Sequence, residues 1–154
     1  MKQLLFCLSL MASLLSVNSA AAQTGLKMND LFEGRVIPQE RMIETRVRGK
    51  SLARYQLNYY RSLRMTVSND ENRQLLLLLD KDKEASIDMR SYRKNPHSWK
   101  TYTCKLQLPS VGNKNCFLCY QEQWNNSHDQ CEVTVIYMEG TIGSLEELEE
   151  KLKQ

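Results

Sequence analysis

The segment Cys131-Glu-Val-Thr-Val-Ile-Tyr-Met-Glu-Gly140 decides the fold expected for this chain. Alternate positions from Val133 to Tyr137 are all apolar, and the positions between them, from Thr134 to Met138, are partly apolar. This alternation predicts a β-strand. Because a strand with one face in water alternates more cleanly between apolar and polar residues, the segment is expected to lie in the interior of its sheet.

Two segments nearer the N-terminus also alternate. Arg41 to Arg48 predicts a half-exposed strand that ends in a turn at Gly49-Lys50. From Tyr55 to Val67 the odd positions are mostly apolar, which fits a long strand. Apolar residues spaced three or four apart between Leu52 and Leu63 fit a helix face as well, but the aromatic content favours the strand.

Capping patterns locate two helices. Ser68-Asn-Asp-Glu71 precedes a leucine-rich helix expected at Asn72 to Asp82, and Ser144-Leu-Glu-Glu147 opens one at Leu145 to Lys153. A third, short helix is expected near the N-terminus, at Thr24 to Gly34.

The predicted fold class is α+β, with a mostly antiparallel sheet and helices packed on one face. Two further alternating segments, 98–108 and 115–124, lead by loops into the opening strand and form a meander with it.

The first 22 residues are expected to be a cleaved signal peptide. Lys2 supplies the only charge before an apolar run at 4–17, and small residues at 18–22 follow as a peptidase site. The run is shorter than the about 20 residues that a membrane span needs, and no later stretch qualifies, so no membrane span is expected. Residues 23–154 then form a single α+β domain that acts in the periplasm or outside the cell.

Several parts of the mature chain together resemble a family of small exported Bacteroidetes proteins, a domain of unknown function. They are Leu-Phe-Glu-Gly34, Arg-Gly-Lys-Ser-Leu52, Tyr-Arg-Ser-Leu63, and Val-Ile-Tyr-Met-Glu-Gly140 before a small capped helix. The resemblance implies an α+β domain outside the cytoplasm. It brings no known activity and no site residues.

Four of the five cysteines follow the signal peptide: Cys104, Cys116, Cys119 and Cys131. A zinc site usually takes two Cys-x-x-Cys pairs, whereas this chain has one, and a redox pair normally opens a helix, whereas Cys116 and Cys119 lie in an expected strand. If the first hairpin loop is centred between Val111 and Gly112, Cys104 lies opposite Cys119 on one apolar face. A Cys104–Cys119 disulfide and four free, buried thiols both fit that arrangement.

The most strongly basic region runs from Arg35 to Arg64. It predicts either a solvated sheet face or a surface for an anionic partner. The candidate residues for that surface are Arg46, Arg48, Lys50, Arg54, Arg61 and Arg64.

The function expected from these features is non-enzymatic: an exported domain that binds an envelope protein or an anionic ligand. A formal charge of only +3 gives no steering toward nucleic acid. With two histidines and no catalytic, metal or cofactor motif, no catalytic residue, metal or cofactor is assigned. The alternative is a thiol-based redox enzyme that uses the Cys116/Cys119 region.

Export can be tested directly. We expect the protein recovered from its native host to begin at Gln23 and to fractionate with soluble proteins outside the cytoplasm. N-terminal sequencing that returns Met1, or recovery in the integral membrane fraction, would contradict this expectation.

Overall fold

The computed structural model of the protein describes residues 25–95, 99–125 and 130–153. The expected signal peptide and both histidines, His97 and His128, lie outside the described residues. Across the described ranges the chain forms one sheet of six strands together with α-helices and short 3-10 helices.

The sheet has the order β1-β2-β6-β5-β4-β3, and every neighbouring pair is antiparallel. The strands are β1 (Ile43–Arg48), β2 (Leu57–Ser68), β3 (Asp88–Lys94), β4 (Trp99–Val111), β5 (Lys114–Asn125) and β6 (Gln130–Gly140). The helices are α1 (Asn29–Phe32), α2 (Asn69–Ala85) and α3 (Leu145–Leu152), and 3-10 helices at Gln39–Arg41 and Lys50–Tyr55 precede β1 and β2. The predicted α+β fold is confirmed.

The opening segment of the sequence forms β6, which lies between β2 and β5 as its pattern predicts. Val133, Val135 and Tyr137 are fully buried on one side of this strand. The ambiguous segment upstream is a strand: β2 buries alternate residues from Leu57 to Val67, because every second side chain points into the core.

The two faces of the sheet are covered differently. We call the side that carries Tyr120 and Val135 the core face, and α2 packs on it through Leu75 and Leu79. We call the other side, which carries Phe117 and Met138, the α3 face, because the side chains of α3 pack there. The position of α3 therefore differs from the expectation of helices on one face. β5 and β6 carry apolar residues on both faces, so each face needs a cover.

Local signals set the ends of the helices. The Ser68 hydroxyl accepts the Glu71 N–H at 3.3 Å while the Glu71 carboxylate accepts the Ser68 N–H at 2.9 Å, so the predicted capping box starts α2. The first helix is shorter than expected, a single turn at α1. The chain before it is held by the Asp82 carboxylate, which accepts the backbone N–H groups of Lys27 and Met28 at 2.7 and 2.8 Å.

The predicted hairpin register was wrong by one residue. Cys104 lies opposite Tyr120, and Tyr120 lies opposite Val135, so Cys119 is on the α3 face and Cys104 is on the core face. The cause is the β4–β5 connection. β4 continues through Pro109 to Val111, and the register shifts between Leu108 and Val111 before the turn. Such a bulge adds a residue to one strand and exchanges the faces of the strand that follows.

The burial of β6 predicts a large effect of Val135→Asp. An unpaired carboxylate in this position should lower the free energy of unfolding by about 4 kcal/mol or more, and the melting temperature by more than about 10 °C. Thr134→Asp is the matched control, because Thr134 is half-buried on the α3 face and lies opposite Arg64. Thermal melts followed by circular dichroism measure both, and equal melting temperatures would contradict the assigned faces.

Candidate functional site

A turn after β6 directs the chain onto the α3 face. At Gly140 the backbone at the start of β2 comes very close. A Cβ atom on residue 140 would lie 2.1 Å from the Gln56 carbonyl oxygen. The same oxygen accepts the N–H of Thr141 at 2.9 Å. Only glycine fits this approach, and it allows the next residues to cross the end of β2 toward Leu145.

Three polar side chains hold the start of α3. The Ser144 hydroxyl accepts the Glu147 N–H at 3.2 Å as a helix cap. The Glu147 carboxylate in turn accepts the Gly143 N–H at 3.1 Å. Gln107 on β4 accepts the Leu145 N–H and donates to the Gly143 carbonyl, each at 3.2 Å. Because these bonds satisfy backbone groups that a helix start leaves open, they fix the position of a helix only eight residues long.

Between α3 and the sheet lies a largely apolar cleft of about 180 Å³. Its floor is the α3 face of β2, β4, β5 and β6, and its roof is the buried side of α3. The residues that line it are Tyr60, Lys105, Phe117, Leu118, Cys119, Ile136, Met138, Leu145, Leu148, Glu149 and Leu152. The cleft is partly open to solvent, and Leu152 in its lining is 53% exposed, so it is an accessible site and not a sealed void.

One rim of the cleft carries a compact charged group. Glu149 of α3, whose side chain is 10% exposed, accepts Lys105 Nζ at 2.7 Å and Arg90 Nη1 at 3.0 Å. Burial acts to raise the pKa of Glu149, but the hydrogen bond from Lys105 and the charges of Lys105 and Arg90 outweigh it, so the pKa lies below its usual value. Two cations thus share one buried carboxylate at the mouth of an apolar pocket.

The thiol of Cys119 lies on the floor of the cleft and is half-buried. Burial raises its pKa to about 11, an effect that the positive charge of Lys105 only partly offsets. The thiolate is therefore scarce at neutral pH. This environment favours a packing role over a nucleophilic one.

The other described cysteines are free, buried thiols, and no disulfide is present among the described residues. The predicted Cys104–Cys119 pair is on opposite faces of the sheet because of the register shift, and that geometry cannot bridge. Cys116 and Cys119 lie within β5, three residues apart, so they too point to opposite sides. Along the described ranges no cluster of three or more metal-ligating side chains occurs.

The six basic residues proposed for anion binding do not form one surface. Arg46 and Arg61 share the carboxylate of Glu44 on the core face. Arg64 binds Glu132 at 2.9 Å on the α3 face. The remaining three are spread over two elements: Arg48 stacks on Tyr59, Arg54 stacks on Tyr55, and Lys50 begins the same 3-10 helix as Arg54.

The cleft residues were not predicted as a site. The signal that could have found them is the second, partly apolar row of β6, which ends in Ile136 and Met138, together with the stripe of leucines on the last helix. Two apolar rows on one strand imply two covers, and a helix of eight residues is too short to cover a whole sheet face.

Comparison with known proteins identifies the family. Residues 15–152 match the model described as "Family of unknown function (DUF6108)", and since the match spans most of the chain, the chain belongs to that family. No curated protein matches the sequence. A solved structure, human STARD10, is similar over 80% of this chain and 70% of that chain, with 10% sequence identity and a TM-score of 0.24. A likeness this distant indicates neither a shared fold nor a shared ligand.

The expected membership of an uncharacterised domain family is thus confirmed, while the bacterial source and export stay predictions. In the part of the chain that the structure describes, no helix is long and apolar enough to cross a membrane.

The cleft geometry predicts how the four described thiols react. Of these four, we expect only Cys119 to be alkylated by iodoacetamide in the native protein, about a hundredfold more slowly than an unperturbed thiol at neutral pH, because burial raises its pKa to about 11 from the usual 9. The rate should rise with pH up to about 11. Peptide mass mapping identifies the modified residue, and rapid labelling of Cys104, Cys116 or Cys131 before unfolding would contradict the assigned burial.

Proposed function

We propose that this chain is an exported, non-enzymatic domain that binds a ligand in the cell envelope, and that the cleft beneath α3 is the binding site. The observation that carries the proposal is the cleft itself, an accessible apolar volume of about 180 Å³ bordered by charged groups. A cavity of about 150 Å³ lined by similar side chains is large enough to bind benzene. The volume therefore suits a ring-sized apolar group or a short hydrocarbon segment.

The rim supports a ligand with an anionic end. Lys105 and Glu149 line the cleft, Arg90 binds the same carboxylate, and Glu149 neutralises only part of the charge of the two cations. Glu146 is a weaker contributor, since its carboxylate is 3.7 Å from Arg90 and its side chain is 70% exposed. An amphiphile would place its apolar part against Ile136 and its anionic group beside the two cations. This is the anionic ligand expected from the sequence, at a different place on the molecule.

The thiol-based alternative has less support. A nucleophilic thiol needs a low pKa and an approach for substrate, whereas burial raises the pKa of Cys119 to about 11 and that of Cys131 to about 12. The Cys116-x-x-Cys119 pair is divided between two faces of a regular strand.

Binding can be measured with hexanoate as the probe, by isothermal titration calorimetry. We expect saturable binding of hexanoate and weaker binding of hexanol, which lacks the charge. Ile136→Trp should weaken hexanoate binding at least tenfold, because the indole fills the floor of the cleft.

Thr134→Trp is the matched control. Thr134 lies on the same strand and the same face, two residues along, and does not line the cleft. The affinity of the Thr134→Trp variant should stay within about twofold of the wild type, because this change removes no contact with the ligand. A tenfold loss of affinity would require a loss of about 1.4 kcal/mol of binding free energy. Absence of binding by the wild type, or equal losses in both variants, would refute the proposal.

A further inference from the structure

β1 is an edge strand with an open side. Among the described residues no strand pairs with it except β2, and five of its six residues are exposed. Ile43 of this strand is the most exposed large apolar residue in the described part of the chain, at 70%. An edge of this kind presents unpaired backbone groups to any strand that can match it.

The hydrogen-bond pattern between β1 and β2 shows which backbone groups of β1 point away from the sheet and are open to a further strand. The Gly49 N–H donates to the Asn58 carbonyl at 3.2 Å, and the ladder continues from there with Arg48 opposite Tyr59. Since antiparallel ladders alternate, residues of odd number in β1 turn their N–H and C=O toward β2. The N–H and C=O groups of Glu44 and Arg46 therefore point away from the sheet.

We infer that β1 pairs antiparallel with β1 of a second copy of this chain, about a two-fold axis that passes beside Thr45. This register places Glu44 opposite Arg46 of the partner, and Ile43 opposite Val47 of the partner. Thr45 faces its own symmetry mate. Opposite charges, threonine pairs and paired β-branched side chains are the cross-strand combinations that stabilise a sheet.

Neighbouring registers are worse. A two-fold axis perpendicular to the sheet must bring core-face residues opposite core-face residues, so the centre falls on a residue and not between two. Centring on Glu44 puts two glutamates opposite each other, and centring on Arg46 does the same with two arginines. Like charges directly opposite each other are destabilising, which leaves the centre at Thr45.

The pairing extends features already present in one copy. Glu44 binds Arg46 and Arg61 within the chain, so the dimer would join two such groups into one alternating network of charges. On the other face, Val47 ends an apolar row that runs through Tyr60 to the cleft, and Ile43 of the partner would extend that row. A single strand edge is a small interface, so the association is a reversible one that depends on concentration.

The test is sedimentation equilibrium of the full chain over a wide concentration range. The wild type should follow a monomer–dimer equilibrium. Arg46→Glu should raise the dimer Kd at least tenfold, because two pairs of opposite charge become two pairs of like charge. Within one copy the new carboxylate lies opposite Arg61, so the fold should be kept, and a thermal melt checks this. Arg64→Glu, the same charge change on β2 away from the edge, should leave the Kd within about twofold.

A cysteine trap tests the register independently. Facing Thr45 residues in a non-hydrogen-bonded pair have Cα atoms about 4.5 Å apart, within disulfide range. The Thr45→Cys variant should therefore form a disulfide between the two copies under mild copper-phenanthroline oxidation, detected by peptide mapping. Ile43→Cys is the control and should give none, since its partner is Val47. A wild type that stays monomeric throughout, a dimer indifferent to Arg46→Glu, or equal crosslinking of both cysteine variants would overturn the inference.

Discussion

β6 is buried on its core face along its whole length and on its other face at its C-terminal end, and the rest of the fold follows from covering it. Its backbone pairs with β2 and β5, its core-face side chains pack under α2, and Met138 on the other face is buried by α3. A strand buried on both faces requires two layers of cover. The second layer is only eight residues long, so the sheet face beyond it stays open. The candidate cleft lies at that boundary, where cover ends and apolar floor continues.

The elements could be predicted because their signals are local. The capping box at Ser68 and the cap at Ser144 each lie within one turn of the helix they begin, and the alternation of β2 is contained in the strand itself. Contacts between segments that are distant in the sequence could not be predicted. Glu44 on β1 reaches Arg61 on β2, and Glu132 on β6 reaches Arg64 on β2, only because the sheet order places these strands side by side. A basic run in a sequence is therefore weak evidence for a cationic surface, since folding adds its partners.

The cleft could not be predicted from the sequence for the same reason. Lys105, Glu149 and Arg90 come from β4, α3 and β3, and nothing in the sequence near any of them indicates the other two. What was visible was the surplus of apolar residues on β6 and on the last helix. Such a surplus predicts that a second apolar contact exists. It does not say whether a neighbouring strand, a helix or a ligand supplies it.

The register of β5 shows how a fold becomes unique when hydrophobicity allows two answers. Cys116, Phe117 and Leu118 are consecutive and all buried, so either parity of β5 gives an apolar core face. The polar groups decide. In the observed register the Tyr120 hydroxyl reaches the side chain of Asn72 on α2 and donates to Glu122 at 3.1 Å, while the Asn72 amide donates to Glu122 at 2.8 Å. A slip by one residue would move Tyr120 and Glu122 to the other face and leave the buried Asn72 without either partner, at a cost of the order of 1–3 kcal/mol for each unsatisfied group. Apolar burial therefore drives the sheet to form, and a buried polar triad selects its register.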